Sequence, residues 1–298
     1  MSENDFYFDD KLLEPLNYLI RIPGKKIRSK LIESFNHWLH IPKDKLDKIT
    51  DIIELLHNSS LLIDDIEDHS PLRRGMPVSH AVYGIPLTIN CANYAYFIAL
   101  KKCIDLDNAK AVKIFSDQLI ELHRGQGMEI WFRDNFICPS EQEYLSIIQK
   151  KTGGLFKLAV LLMKCYSEDT RDFDCLIESI GLFFQIRDDL ANLKSKEYSD
   201  SKSFCEDITE GKFSYPMIKY FQSDKDHCRL LDILRKRTED VNEKKEVINM
   251  LEMSGCFKKT NEKLLEIKSV MFAELKKFGG NKYLELILSE LCKIVEEV

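Results

Sequence analysis

The apolar positions of this chain recur at helical spacing over most of its length. Ile27, Leu31, Phe35 and Leu39 stand four residues apart between Lys25 and Leu39. From Lys43 to Asp68 the apolar set is Leu46, Ile49, Ile53, Leu56, Ser60 and Ile63, at alternating steps of three and four, and Pro71 predicts the end of that helix. The same periodicity predicts helices over 87–103, 108–131, 140–165, 170–195, 214–236, 242–252, 257–277 and 281–296. No alternating run flanks an Asn-Gly or Asp-Gly turn, and no repeat or low-complexity stretch interrupts the pattern. Ser195 to Lys212 is polar and charged, which predicts a mobile loop rather than a linker. The expectation is an all-α fold, a single domain over 1–298 with about ten or more helices.

Composition narrows the classes. Of 298 residues 44% are hydrophobic, enough for a sizeable core, so a disordered chain and a disulfide-stapled miniprotein are excluded. Only 12 glycines and 8 prolines occur, fewer than a turn-rich sheet protein uses. A formal net charge of −6 argues against non-specific binding to nucleic acid or to an anionic membrane, so an anionic ligand would need a local cluster of cations. The nine cysteines, no two closer than ten residues, offer no CxxC and no zinc spacing, as expected in a reducing compartment. MSENDFYFDDK at the start lacks a signal-peptide core and the Arg-rich character of a transit peptide. The uncharged stretch from Gly75 to Leu100 is broken by Pro77, Pro86, Asn90 and Asn93, so a loop and a buried helix are expected there and not a membrane span. A soluble, cytoplasmic protein is the expectation.

Candidate chemistry begins with two acidic clusters. Asp64-Asp65-Ile66-Glu67-Asp68 puts four carboxylates against the negative end of a helix macrodipole, and Asp64 and Asp68 repel each other at i, i+4. One such run alone reads most simply as a solvated face. Yet the placement is costly without a cation, and two carboxylates on one face suit an octahedral Mg²⁺ whose other ligands are water or phosphate. The second cluster, Gln185, Asp188, Asp189 and Asn192, lies on one helical stripe after Phe183 and Phe184. Two clusters argue for a shared metal site more strongly than one. Cations supply the complement: Lys25, Lys26 and Arg28 at a helix start, Arg73 and Arg74 after the first run, Lys150 and Lys151 before Thr152, and Lys202 and Lys212 in the polar loop. Singly each reads as a surface charge; together they describe a site for phosphate groups. His57, seven residues before Asp64, shares its face, with a core histidine as the equal alternative. Gln126 and Glu129 are one turn apart in the run Gly125 to Glu129 and would line the wall.

At these residues the chain resembles the trans-isoprenyl diphosphate synthases, most of all the animal and fungal geranylgeranyl diphosphate synthases. The likeness rests on DDxxD at Asp64–Asp68 with Arg73-Arg74-Gly75, on Lys151-Thr152, on GQGxE, on FQIRDD and on CEDITEGKFSYP, all in the family's order. The resemblance implies the isoprenoid synthase fold, a helical bundle around a deep hydrophobic pocket, in a homodimer or an assembly of dimers. It implies that Asp64, Asp68 and Asp188 ligate up to three Mg²⁺ on an allylic diphosphate (dimethylallyl, geranyl or farnesyl). Arg73, Lys151, Thr152, Gln185, Lys202 and Lys212 would hold that diphosphate, and Lys25, Arg28, His57 and Arg74 would bind isopentenyl diphosphate. The reaction implied is ionisation, condensation and elimination. Two residues depart from the family pattern: Asn192 stands where many relatives have a third Asp, and Glu129 replaces a more usual Asp.

Ser59 and Ser60 are small where relatives that stop at fifteen carbons carry aromatics, and Tyr96, Phe97 and His123 are bulky enough to form a deeper floor. Geranylgeranyl diphosphate is therefore the expected product. A farnesyl or bifunctional farnesyl/geranylgeranyl synthase, a class I terpene cyclase and a non-catalytic subunit are the alternatives.

Overall fold

Helices account for most of the described backbone, and every periodic segment of the sequence except 214–236 becomes one. The computed structural model describes residues 3–22, 24, 26–194, 204–223 and 227–297. Among these the helices are α1 (Glu3–Leu12), α2 (Glu14–Ile20), α3 (Ile27–Leu39), α4 (Lys43–Glu67), α5 (Ser79–Tyr83), α6 (Ile85–Ile104), α7 (Ala109–Asp134) and α8 (Glu141–Lys164). They continue as α9 (Asp174–Lys194), α10 (Glu206–Glu210), α11 (Tyr215–Phe221), α12 (Cys228–Lys236), α13 (Val241–Met253), α14 (Cys256–Lys277) and α15 (Lys282–Glu297). Two expectations need correction. The helix expected over 214–236 is two helices: α11 stops at Phe221, where polar Gln222 and Ser223 follow and the Ser223 hydroxyl turns back onto the Tyr220 carbonyl at 2.6 Å. The loop expected over 195–212 contains α10, whose Glu206, Asp207 and Glu210 are buried; residues 195–203 lie outside the described residues.

Two compact units divide the chain. In the first, Met1–Gln118 with Leu158–Thr170, α4 packs along α6. Ala92, Ala95 and Ala99 recur on one face of α6 and are fully buried, so the small side chains let the two helices approach closely. Leu16 and Leu19 of α2 join Leu62, Cys91, Ala92 and Ala95 in that core. In the second unit, Leu119–Lys157 with Arg171–Val298, α9 packs along α14. Burial on nearly every side of α9 marks it as the unit's central helix.

α4 ends in a Schellman motif. His69, at φ 57°, follows the last helical turn, Ser70 N–H donates to the Asp65 carbonyl at 3.0 Å, and His69 N–H donates to that of Ile66 at 3.3 Å. Pro71 then prevents the helix from resuming, as the sequence predicts. The acidic cluster is thus held on a fixed final turn.

Candidate active site

His57, Ser60, Ile63, Asp64 and Asp68 fall on one half-buried side of α4, whereas Leu56, Ser59, Leu62 and Asp65 continue its buried side. A short hairpin completes this end of the first unit. β1 (Leu72–Arg73) pairs antiparallel with β2 (Met76–Pro77), and the two linking residues, Arg74 and Gly75, have φ of 54° and 78°. Positive φ at both central positions is the backbone of a type I′ turn, which suits the twist of a two-residue hairpin. The turn sends its two arginines to different partners. Arg73 reaches back to α4, where Nε donates to Asp65 Oδ1 at 2.7 Å and Nη2 donates to Asp64 Oδ2 at 3.3 Å. Nη2 also donates to Asp65 Oδ1. Asp65 is only 1% exposed, so this guanidinium neutralises a carboxylate that water does not reach.

Arg74 turns the other way and donates to the Ile22 carbonyl. Its guanidinium fills the space above Gly24, where a Cβ would sit 2.8 Å from Nη2. Nearby, Arg28 Nη1 lies 3.0 Å from His57 Nε2. Arginine only donates, so Nε2 is the acceptor and the proton of a neutral imidazole sits on Nδ1. Burial, and then the charges of Arg28, Arg74 and Arg73, push the His57 pKa well below its ordinary value, against a smaller opposing pull from Asp64. Of the four residues expected to bind isopentenyl diphosphate, Arg28, His57 and Arg74 come together; Lys25 lies outside the described residues.

The second acidic cluster, on α9, has its own cations. Asp189 is buried and accepts from four donors: Gln185 Nε2 at 2.9 Å, Lys212 Nζ at 3.3 Å, the Tyr215 N–H at 2.8 Å and the Tyr144 hydroxyl. Burial works against the Lys212 charge, but the carboxylates of Asp189, Asp207, Glu129 and Glu210 hold its pKa well above the usual lysine value. Thr152 Oγ1 donates to Gln185 Oε1 at 2.8 Å, and Lys151 pairs with Glu129. Lys151, Thr152, Gln185 and Lys212 therefore belong to one connected polar group, while Lys202 lies outside the described residues. Asp188, one residue before the hub, is only half-buried. Asn192 is spoken for: its Oδ1 accepts the Asp207 N–H at 3.3 Å, at the start of α10.

Glycines set the spacing of this unit. A Cβ on Gly181 of α9 would lie 2.9 Å from Gly153 Cα, and one on Gly125 of α7 would lie 2.8 Å from the Lys151 backbone nitrogen. The GQG run thus owes its first glycine to a close approach of α7 to α8, beside Lys151 and Thr152.

The chain-length residues separate. Ser60 is half-buried on the Asp64 side, its hydroxyl on the His57 carbonyl at 2.8 Å. Ser59 is fully buried with its hydroxyl on the Leu55 carbonyl at 2.7 Å, so it belongs to the core stripe and the two serines do not form one face. Tyr96 lies close enough to the acidic end of α4 that, after burial, Glu67 and Asp64 raise its pKa further. Phe97 is 69% exposed and His123 is also exposed, because each lies on an outward side of its helix.

Sequence reading passed over Tyr144 and the Asp65 and Asp189 anchors. The adjacent-acid pattern carried a signal for the anchors, since neighbours on a helix differ by about 100° and cannot both face a ligand. As for a metal, Asp64 and Asp68 offer hard oxygen donors one turn apart at the negative end of α4, which fits Mg²⁺. Among the described residues no three His, Cys, Asp or Glu side chains gather into a cage, so such an ion would draw its remaining ligands from water or phosphate.

A largely helical chain whose α4 and α9 carry acidic clusters, each attended by its own cations, fits the class of helical enzymes that handle phosphate groups. The sequence pattern of the polyprenyl synthetase family matches residues 9–251, and the chain belongs to that family. It is 51% identical to a terpene synthase of Matsumurasca onukii, over 97% of this chain and 96% of that protein. It is 45% identical to geranylgeranyl pyrophosphate synthases of Mucor circinelloides f. lusitanicus, over 95% of this chain and 94% of that protein, and of Dictyostelium discoideum, over 95% and 93%.

Proposed function

We propose that this protein is a prenyltransferase that condenses isopentenyl diphosphate with allylic diphosphates to make geranylgeranyl diphosphate. The observation that carries the reading is the presence of two separate polar groups built around cations, Arg28 and Arg74 with His57 in the first unit and Lys151 and Lys212 with Thr152 and Gln185 in the second. A condensation needs two diphosphates held at once; a single ionisation needs one. The likeness to two geranylgeranyl pyrophosphate synthases supports the choice of product.

In this reading Asp64, Asp68 and Asp188 would hold up to three Mg²⁺ for the allylic diphosphate. Bound there, Mg²⁺ would neutralise charge on the diphosphate as its carbon–oxygen bond breaks. Arg73, Lys151, Thr152, Gln185, Lys202 and Lys212 donate to the same diphosphate and stabilise its growing negative charge. Lys25, Arg28, His57 and Arg74 hold isopentenyl diphosphate with its double bond beside the allylic carbon, where proximity replaces a bimolecular encounter. The double bond attacks the allylic cation, and the proton then lost passes to the departing diphosphate. A single catalytic domain carries the reaction, and apolar side chains around the substrates exclude water from the cation.

The protein works in the cytoplasm as a dimer or an assembly of dimers. Among the described residues no helix is long and apolar enough to cross a membrane. Ile85, Ile89, Phe97 and Ile104 leave an exposed apolar stripe on α6 that supports a subunit contact.

The terpene synthase relative favours a second reading, a class I terpene cyclase. Product analysis with Mg²⁺, isopentenyl diphosphate and each allylic starter separates the two. Consumption of isopentenyl diphosphate with a twenty-carbon diphosphate product supports the prenyltransferase; a cyclic hydrocarbon or alcohol from an allylic diphosphate alone refutes it.

A further inference from the structure

We propose that Tyr144 is a positioning residue for the reaction: its hydroxyl fixes the Asp189 carboxylate, and that carboxylate sets where the Lys212 ammonium meets the allylic diphosphate. The inference rests on the reading above, in which Lys212 binds that diphosphate.

Asp189 divides its two oxygens between two tasks. Oδ1 accepts from Gln185 Nε2 and Lys212 Nζ, which face the diphosphate in this reading. Oδ2 accepts from Tyr144 and from the Tyr215 N–H, which are anchors. Gln185 is held twice more, by its own helix and by Thr152, so it has little room to move. Lys212 is different. It lies between α10 and α11, outside any helix, on a long stem whose ammonium is placed by the carboxylates around it. A tilt of the Asp189 carboxylate plane would displace Oδ1 and carry the ammonium with it. The Tyr144 hydroxyl is the side-chain group that opposes this tilt from Oδ2.

Tyr144 is buried and serves from behind. Its ring lies against that of Tyr215, with centroids 5.5 Å apart. The Tyr215 hydroxyl in turn donates to Glu141 at 2.6 Å, and Lys219 pairs with Glu141. A purely space-filling role would need no hydroxyl at Tyr144, since phenylalanine fills nearly the same volume. Here the hydroxyl goes to an oxygen of the residue that holds a substrate-binding cation.

Steady-state kinetics of Tyr144→Phe, each substrate varied in turn, test the proposal. The allylic KM should rise about tenfold, while the KM for isopentenyl diphosphate stays within about twofold. Lys212→Gln provides the background for a double-mutant cycle, since it removes the charge but leaves Asp189 a donor. There, Tyr144→Phe should add less than about twofold, because the cation it positions is gone. An unchanged allylic KM in Tyr144→Phe, an equal rise for both substrates, or a fully multiplicative effect on Lys212→Gln overturns the proposal alone. An unchanged allylic KM in Lys212→Gln overturns the reading beneath it and the proposal with it.

Discussion

Arg28 Nη1 meets His57 Nε2 at 3.0 Å, so a permanent cation donates to the imidazole and keeps it unprotonated. The contact joins α3 to α4 one face away from the buried stripe, beside Arg74 and the space over Gly24. It gives the first unit a compact group of positive charge at the acidic end of α4. The histidine there acts as an acceptor that holds Arg28, not as a charge of its own.

That arrangement has a pH signature. His57 titrates well below its ordinary value in the folded chain and near about 6.5 when unfolded. Below about pH 6.5 the unfolded chain takes up a proton that the folded chain refuses, so this contribution is present at neutral pH and is lost as pH falls. The loss is at most about 1.4 kcal/mol per pH unit. Thermal unfolding of the wild type between about pH 7.5 and 5.5 should show Tm falling more steeply than in His57→Gln. Equal slopes in the two proteins would mean that His57 is not held neutral.

Neighbouring acids should behave differently. Asp188→Ala and Asp64→Ala should abolish turnover and leave the helical circular dichroism intact, since both carboxylates are half-buried where an ion can reach them. Asp189→Ala should also unfold more easily, by about 3–5 kcal/mol, because it leaves the largely buried Lys212 ammonium without the carboxylate 3.3 Å from it and the Tyr144 and Gln185 donors without their acceptor. Chemical denaturation of Asp188→Ala and Asp189→Ala side by side makes the comparison; equal midpoints would contradict it.

The two cation sets predict opposite kinetic phenotypes. Arg28→Ala should raise the KM for isopentenyl diphosphate more than the allylic KM, and Lys212→Gln should do the reverse. Each loses a charge-assisted contact worth about 1.5–3 kcal/mol, roughly ten- to a hundredfold. Equal effects on both substrates in both variants would dissolve the distinction.

Much of this was legible beforehand. Helix periodicity found α3, α4, α6, α7, α8, α9 and α13 to α15 to within a few residues, because long amphipathic segments repeat their pattern several times. α2, α5 and α10 are seven residues or shorter and complete too few turns to show a period. The hairpin escaped because its turn is Arg74-Gly75, not Asn-Gly or Asp-Gly; the Arg74 side chain, tied to Ile22, helps hold a backbone that arginine rarely adopts. Spacing put His57 on the half-buried side of α4 that also carries Asp64 and Asp68. It did not reveal that the buried side of α4 turns as the helix proceeds, from Ile53 and Leu56 to Ser59, Leu62 and Asp65. That depends on which neighbour each turn meets, and periodicity within one helix carries no such information.

Glycine spacing should be testable apart from chemistry. Gly181→Ala would press a methyl against the Gly153 backbone, which cannot move aside as a flexible side-chain tip can. Helices α8 and α9 would have to part, at a cost of about 1–3 kcal/mol. Thr152 would then lose its 2.8 Å contact with Gln185, so a lower denaturation midpoint should accompany a higher allylic KM. A midpoint equal to wild type would show that the crossing has slack.

Product length is the remaining test, and Ser60 is the residue to change. It stands one turn before Asp64 on the same half-buried side of α4, about 6 Å further from the acidic end. A chain anchored at Asp64 and growing along that face passes Ser60 early, since each isoprene unit adds roughly 4–5 Å in extended form. A phenyl ring there would block the passage while leaving Asp64, Asp68 and their cations untouched. Ser60→Phe should therefore shift the product from twenty carbons to fifteen, with condensation retained. Ser59→Phe should behave otherwise: its site is fully buried, so the ring would overpack the core and lower stability by about 1–3 kcal/mol. Product chromatography and thermal denaturation of both single variants decide the matter. A Ser60→Phe enzyme that still makes mainly twenty carbons would show that the growing chain does not run along this face of α4.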